Sequence, residues 1–218
     1  MDIDTQVDDT APGDDGDGAL LVLTADELTA LQGLFEHPFP PGIGPSDDAD
    51  VNAAAGTRSL IARALLDGAG HLADELAVLL SVYASATRRL SVLEHGPDGD
   101  VQQTLHVAKP VGVLHRGRPG GLHLFTLVES TFDLDELLAL VLGGRLAPSD
   151  SGGCSVEDLA DHLTSFAEIT VMRRDDGAVT GHNAVVAFTD AAWLISEDRT
   201  HAVGATAAVL GSALGFGV

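Results

Sequence analysis

The order of secondary-structure signals repeats along this chain, and a repeat of that size limits the possible folds more than any single motif does. Residues 72–143 run helix, hairpin, strand, strand, helix, and residues 155–214 run in the same order. In the first copy Leu76, Leu79, Leu80 and Tyr83 mark a helix over 72–86. The apolar period then shortens to two, giving strands at 89–95, 101–108, 111–116 and 122–129, with Pro97-Asp98-Gly99 as the first turn. Thr131-Phe132-Asp133 opens a helix that ends at Gly143-Gly144. In the second copy Ser155 caps a helix through Leu159, Leu163 and Phe166. Strands follow at 168–174, 178–188, 193–196 and 201–204, with Asp175-Asp176-Gly177 as the turn and a closing helix at 206–214. The expected class is α+β: two pseudo-symmetric halves of antiparallel sheet, each helix–four strands–helix, joined or adjacent, with the helices on one side.

Upstream of the repeat the signals are local. Residues 1–18 carry seven Asp and no base, the composition of a disordered acidic tail and the reverse of a signal peptide. Thr24 followed three positions later by Glu27 is a capping box, opening a helix with Leu28, Leu31, Leu34 and Phe35 on one face. Prolines between 38 and 45 break it, and a second helix is expected over 52–66. The chain therefore divides into a tail at 1–18, an N-terminal half at 19–146, a linker at 147–154 and a C-terminal half at 155–218, the two halves packing as one compact domain.

Charge excludes several functions. Acids outnumber bases 33 to 11, a formal charge of −22, so phosphate backbones and anionic membranes are repelled. Residues 202–218 lack charge, but 17 residues rich in Gly fall short of the ~20 a membrane span needs. A lone Cys154 gives neither a disulfide nor a thiolate cluster.

Catalytic and metal readings find little footing. His106, His115 and His123 lie on successive strands, but without metal-ligand spacing they read as solvent-face residues. Ser151-Gly152-Gly153-Cys154-Ser155 lies between two helices, not at the strand-to-helix turn of a nucleophile elbow, and no base accompanies it. The expectation is a binding protein without enzymatic activity, cofactor or metal. Its apolar anchors are sought at the joint Lys109-Pro110, on Val111 and Val113 of the following strand, and at the aromatics Trp193 and Phe216.

Local texture adds a resemblance. The opening Leu-Thr-Ala-Asp-Glu-Leu helix, the loop bearing Pro38, Pro40 and Pro41, the segment Arg63-Ala64-Leu65-Leu66-Asp67-Gly68 and the late hairpin Val171-Met172-Arg173-Arg174-Asp175-Asp176-Gly177 resemble the EspG family, cytosolic chaperones of actinobacterial type VII (ESX) secretion. The likeness covers about residues 20–215. It departs at Ala191-Ala192-Trp193, where many members have a Gly-Arg-Tyr step, and in the acidic tail, marking a divergent member. The resemblance implies two α+β halves around a central sheet. It also implies a cytoplasmic chaperone that binds helical PE/PPE-like or WXG-type secretion substrates and keeps them soluble. A homodimer is compatible with it. An acidic interaction or immunity-type protein of the same fold, without a secretion client, is the alternative.

Overall fold

The computed structural model describes residues 20–35, 49–97, 99–108, 110–118, 121–129, 134–148, 152–175 and 178–216. The acidic segment 1–18, the proline loop 38–45 and Lys109 lie outside them. The first half holds β1 (Leu20–Thr24), α1 (Ala25–Phe35), α2 (Ala49–Ala62), α3 (Asp74–Ser85), then β2 (Arg88–Gly96), β3 (Gly99–Ala108), β4 (Val111–Arg118), β5 (Leu122–Glu129) and α4 (Leu134–Val141). The second holds β6 (Gly153–Ser155), α5 (Val156–Ala160), β7 (Ser165–Asp175), β8 (Ala178–Phe188), β9 (Ala192–Ile195), β10 (His201–Gly204) and α6 (Ala207–Ala213).

All ten strands form one antiparallel sheet in the order β1-β5-β4-β3-β2-β7-β8-β9-β10-β6. The order reads the same outward from the β2–β7 pair, so a pseudo-two-fold lies between those strands. The α+β class and the paired halves expected from the repeat are present, and the two half-sheets are fused into one.

The structure rephases the repeat. Each half starts with an edge strand that runs directly into a capped helix. Thr24-Ala25-Asp26-Glu27-Leu28 in the first half matches Ser155-Val156-Glu157-Asp158-Leu159 in the second. Thr24 pairs with Leu122, the first residue of β5, and Ser155 with His201, the first residue of β10. The next amide also repeats its bond: Ala25 N–H donates to the Gly121 carbonyl and Val156 N–H to the Thr200 carbonyl. Counting by helix periods instead aligned 72–86 with the helix at Ser155. Among the described residues α2 and α3 have no counterpart in the second half.

Two of the expected elements change accordingly. Leu20–Thr24 is a strand, where local pattern indicated only the flank of a capped helix. The helix from Ser155 stops at Ala160 instead of reaching Phe166. Leu159, Leu163 and Phe166 have helical spacing, but Ser165, Ala167, Ile169 and Val171 alternate as buried residues, and β7 pairs on both sides. Ladder hydrogen bonds along eleven residues outweigh a weak helical period.

Helices cover both faces, which corrects the one-sided expectation. On β4, Leu114 joins a core with Leu138, Val141 and Leu210, beneath α4 and α6. Its neighbour Val113 joins a second core with Leu28, Leu60, Leu76 and Phe125, beneath α1, α2 and α3. Adjacent residues of a strand point to opposite faces, so these are separate layers. Periodicity within a helix shows which stripe is apolar but not which side of the sheet receives it.

Between the halves, on the α4–α6 side, Arg145 donates to both carboxylate oxygens of Glu94, at 2.8 and 2.6 Å, and its guanidinium lies 3.8 Å from the Phe188 ring centroid. The Ser165 hydroxyl also donates to Glu94. The Arg145 hydrogen bonds outweigh desolvation and hold the Glu94 carboxyl below its ordinary range.

Candidate interaction surface

Cross-strand partners share a face of the sheet, so the registers give a map of it. On the side carrying α1–α3, Val113 pairs with His106, His106 with Arg89, Arg89 with Met172, and Met172 with Gly181. The helices cover the first part of this row and leave the last part open. Over the first half α3 packs on β3 and β4. Over β7 and β8 the outward positions Phe166, Glu168, Met172, Arg174, Val179 and Asn183 are exposed. Phe166, Met172 and Val179 keep 41%, 39% and 57% of their surfaces in solvent. An apolar stripe on a sheet face with no covering element among the described residues has the chemistry of a docking surface. It exists because α2 and α3 occur in one half only.

The stripe has polar ends. Phe166 stacks on His95, ring centroids 4.7 Å apart, and His95 Nδ1 lies 2.9 Å from an Asp100 carboxylate oxygen. At the other end Arg174 is exposed beside Val179. Ser91, Thr170 and Asn183 form a cross-strand polar line between these ends. Such a face can bind a helix or a pair of helices through aliphatic contact, with charged groups fixing orientation.

The residues singled out from the sequence fall elsewhere. Val113 is wholly buried in the core beneath α3, and Val111 packs half-buried against the same core. Pro110 is exposed in the turn before β4. Phe216 is half-buried on the opposite layer, where its ring centroid lies 5.9 Å from the Arg88 guanidinium carbon. Trp193 is half-buried near the far end of the sheet, its indole N–H donating to Thr189 Oγ1 at 3.1 Å. These positions do not make one patch. Met172 and Phe166 carried a usable signal: β7 has large apolar residues at both parities, unlike a strand with one solvated face.

The three histidines are not solvent-facing, because the α1–α3 layer covers their side of the sheet. His106 is fully buried, stacks on Tyr83 at 3.9 Å between centroids, and has no hydrogen-bond partner on either ring nitrogen among the described residues. His115 stacks on Phe125 at 4.5 Å and shares a 2.9 Å hydrogen bond with His123. Burial is the main cause that pulls the pKa of His106, and likewise of His115, down to about 3 from 6.5. No group of three or more His, Cys, Asp or Glu among the described residues is arranged to hold a metal ion.

These values predict an acid limit on stability. Between pH 6.5 and 3 an unfolded chain binds protons that folded His106 and His115 refuse, so stability falls as pH drops through that window. The urea midpoint is expected to decline already from pH 7 to 5, above the range where Glu27 and Glu94 protonate, since both are held low. His106→Leu is expected to flatten that decline at little cost at pH 7, because neither ring nitrogen is bonded. An unchanged pH slope in the variant would show that the histidine plays no part.

Among the described residues no helix is long and apolar enough to cross a membrane. No protein-family model matches the chain, and no curated protein matches it by sequence. Its fold, however, is similar to that in a solved structure of the Mycobacterium tuberculosis type VII secretion system chaperone EspG5 in complex with a PE25-PPE41 dimer. The TM-score is 0.62 at 12% identity, over 89% of this chain and 94% of that one, a likeness of fold.

Proposed function

We propose that this protein is a chaperone of the EspG kind, which binds a helical PE/PPE-like or WXG-type secretion substrate pair in the cytoplasm, keeps it soluble for export and catalyses no reaction. The observation that carries this reading is the open β7–β8 face with exposed Phe166, Met172 and Val179, on a fold like that of a chaperone solved in complex with a PE25-PPE41 dimer. The physical logic is simple. A client whose helices end in an apolar tip aggregates alone, and covering that tip with a sheet face removes the exposed apolar area. The −22 charge of the chaperone then keeps the complex dispersed.

Co-expression with PE/PPE-like or WXG-type proteins encoded in the same genome tests the reading. A co-purifying complex is expected from one such pair. Met172→Asp and Val179→Asp together are expected to weaken it at least about tenfold while leaving Tm unchanged, because both side chains are exposed. Failure of every such pair to co-purify would favour the acidic interaction or immunity-type reading instead.

A further inference from the structure

Strand β8 has a partner along only part of its outer edge. β7 pairs with all eleven of its residues, whereas β9 pairs with Val185–Phe188 and stops at Ile195. The equivalent strand of the other half, β4, has eight residues against the four of β9. β9 is short because its chain turns early: Ser196 N–H donates to the His201 carbonyl, and Arg199 takes a positive φ of 57° in the turn. Ala178–Asn183 are all exposed, and among the described residues only β7 bonds to their backbone.

The ladder fixes which groups point outward. Arg174 N–H donates to the carbonyl of Thr87, on the β2 side. Its neighbour Arg173 therefore directs its N–H and C=O at Thr180 of β8. By the same alternation Thr180 and His182 bond β7, while Val179, Gly181 and Asn183 present their N–H and C=O groups to the opposite side. They continue the row of Val185 and Ala187, which face Ile195 and Trp193 of β9.

Other edges of the sheet are blunted. The Arg63 guanidinium donates to the Val22 carbonyl of β1, β6 has three residues, and the stretch of β3 that β4 leaves unpaired carries Asp100. Residues 178–183, Ala-Val-Thr-Gly-His-Asn, include no proline, lysine, arginine or carboxylate to do the same.

The space beside this edge has the shape of one strand. A half-open cavity of about 420 Å³ lies between Asn183, Ala184 and Val185 of β8 and Ser196, Glu197 and Arg199 of the β9–β10 turn. That turn stands where the next strand of a docked sheet would run, so the notch suits a single segment rather than a second copy of this chain. Two chains of −22 also repel, and the same charge disfavours an acidic segment. Gly181 adds a selective feature. Among the described residues a methyl there would meet only the Val171 carbonyl oxygen, at 3.8 Å. Glycine within a strand marks close approach of another backbone, and here it leaves a gap beside its cross-strand partner, the exposed Met172. A large apolar side chain opposite Gly181 fills that gap.

We propose that the β8 edge at Val179–Asn183 takes a single extended segment of a partner polypeptide, uncharged or basic, with a large apolar residue opposite Gly181. The segment runs antiparallel to β8, as β9 does, and pairs its main chain with Val179, Gly181 and Asn183. It lies in the plane of the sheet, so the contact is independent of the helix-binding reading, and a client that fails to co-purify leaves it untouched.

The acetylated, amidated peptide Lys-Val-Thr-Phe-Thr-Val-Lys, added to the full chain at millimolar concentration, is the probe. Hydrogen exchange at the Val179, Gly181 and Asn183 amides is expected to slow at least about tenfold, with Thr180 and His182 unchanged because they already bond β7. N-methylation of the two valines and the phenylalanine, whose amides would face β8, is expected to weaken binding at least about tenfold. N-methylation of the two threonines, which face away, is expected to change it by less than about twofold. Equal effects of the two methylations, binding without the alternating protection, or no binding at millimolar peptide would overturn the proposal. So would slow exchange at 179, 181 and 183 in the protein alone, which would mean that the edge is already covered.

Discussion

Gly56→Ala is expected to cost at least about 3 kcal/mol and to lower the urea midpoint to the edge of folding, although alanine is the better helix former by ~1 kcal/mol. Gly56 is buried in α2 where that helix crosses α1. A methyl group there would fall within the Asp26 carbonyl group and 2.8 Å from the Glu27 backbone nitrogen. Backbone cannot swing aside as a long side chain does, so the helices must separate. Gly33→Ala on α1 is the control, since that position is exposed and nothing lies within 4 Å of a methyl there. It should gain ~0.5–1 kcal/mol from propensity alone. The two substitutions are chemically identical and opposite in expected sign. If both proteins unfold at the wild-type midpoint, the close crossing is not what holds α2 on α1.

Removing either partner of the Glu27–Arg63 pair is expected to produce the second large effect, with the arginine the costlier loss. Glu27 is wholly buried and accepts four hydrogen-bond contacts from three donor groups: the Thr24 amide at 2.8 Å, the Ser59 hydroxyl at 2.8 Å, and Arg63 Nη1 at 2.9 and 2.8 Å to its two oxygens. Arg63 in turn donates from Nη2 to the Val22 carbonyl, covering a backbone acceptor of the edge strand β1. Burial raises the Glu27 pKa, but the hydrogen bonds from Thr24, Ser59 and Arg63 and the Arg63 charge prevail and lower it.

Glu27→Ala leaves an arginine that is 40% exposed and can rehydrate, so about 2–3 kcal/mol is expected, part of it the lost cap. Arg63→Met leaves a buried carboxylate without its counter-charge, for which about 3–5 kcal/mol is expected at pH 7. The pH behaviour separates the two variants. In wild type the lowered Glu27 pKa contributes stability above the ordinary carboxylate range, lost as pH falls. In Arg63→Met burial dominates and raises that pKa, so acid neutralises Glu27 and the deficit against wild type should shrink between pH 7 and 5. Chemical denaturation at both pH values reads this directly. A deficit that stays constant would mean the pair contributes through packing alone.

Both predictions concern the α1–α2 seam, which fixes the helical layer that one half has and the other lacks. Parts of it were legible in advance. The Thr24–Glu27 capping box forms as its spacing required, with Glu27 N–H donating to Thr24 Oγ1 at 3.2 Å. The strands Leu122–Glu129, Ala178–Phe188 and His201–Gly204 begin and end where period and turn residues placed them. Ser155 caps its helix through its side-chain oxygen as expected. Each of these is decided within a few residues, by a cap, a turn or an alternation.

What sequence left open needed partners far along the chain. Leu20–Leu23 is a short apolar run that local pattern cannot assign, and it becomes a strand because β5 offers it a ladder. Glu27 reads as a cap alone, and its burial against Arg63 follows from a fold that brings residues 36 apart into contact. The histidines alternate correctly for one face, but whether that face meets solvent or α3 is a matter of layer packing. The open β7–β8 surface has the same origin. By itself the sequence determined most of the elements, the existence of a repeat and the acidic body, because these arise from short-range periodicity and composition, while the phase of the repeat came from strand pairing. Only the tertiary structure decided which face of the sheet each helix covers, and so which apolar residues remain uncovered, because burial depends on elements that meet across the fold.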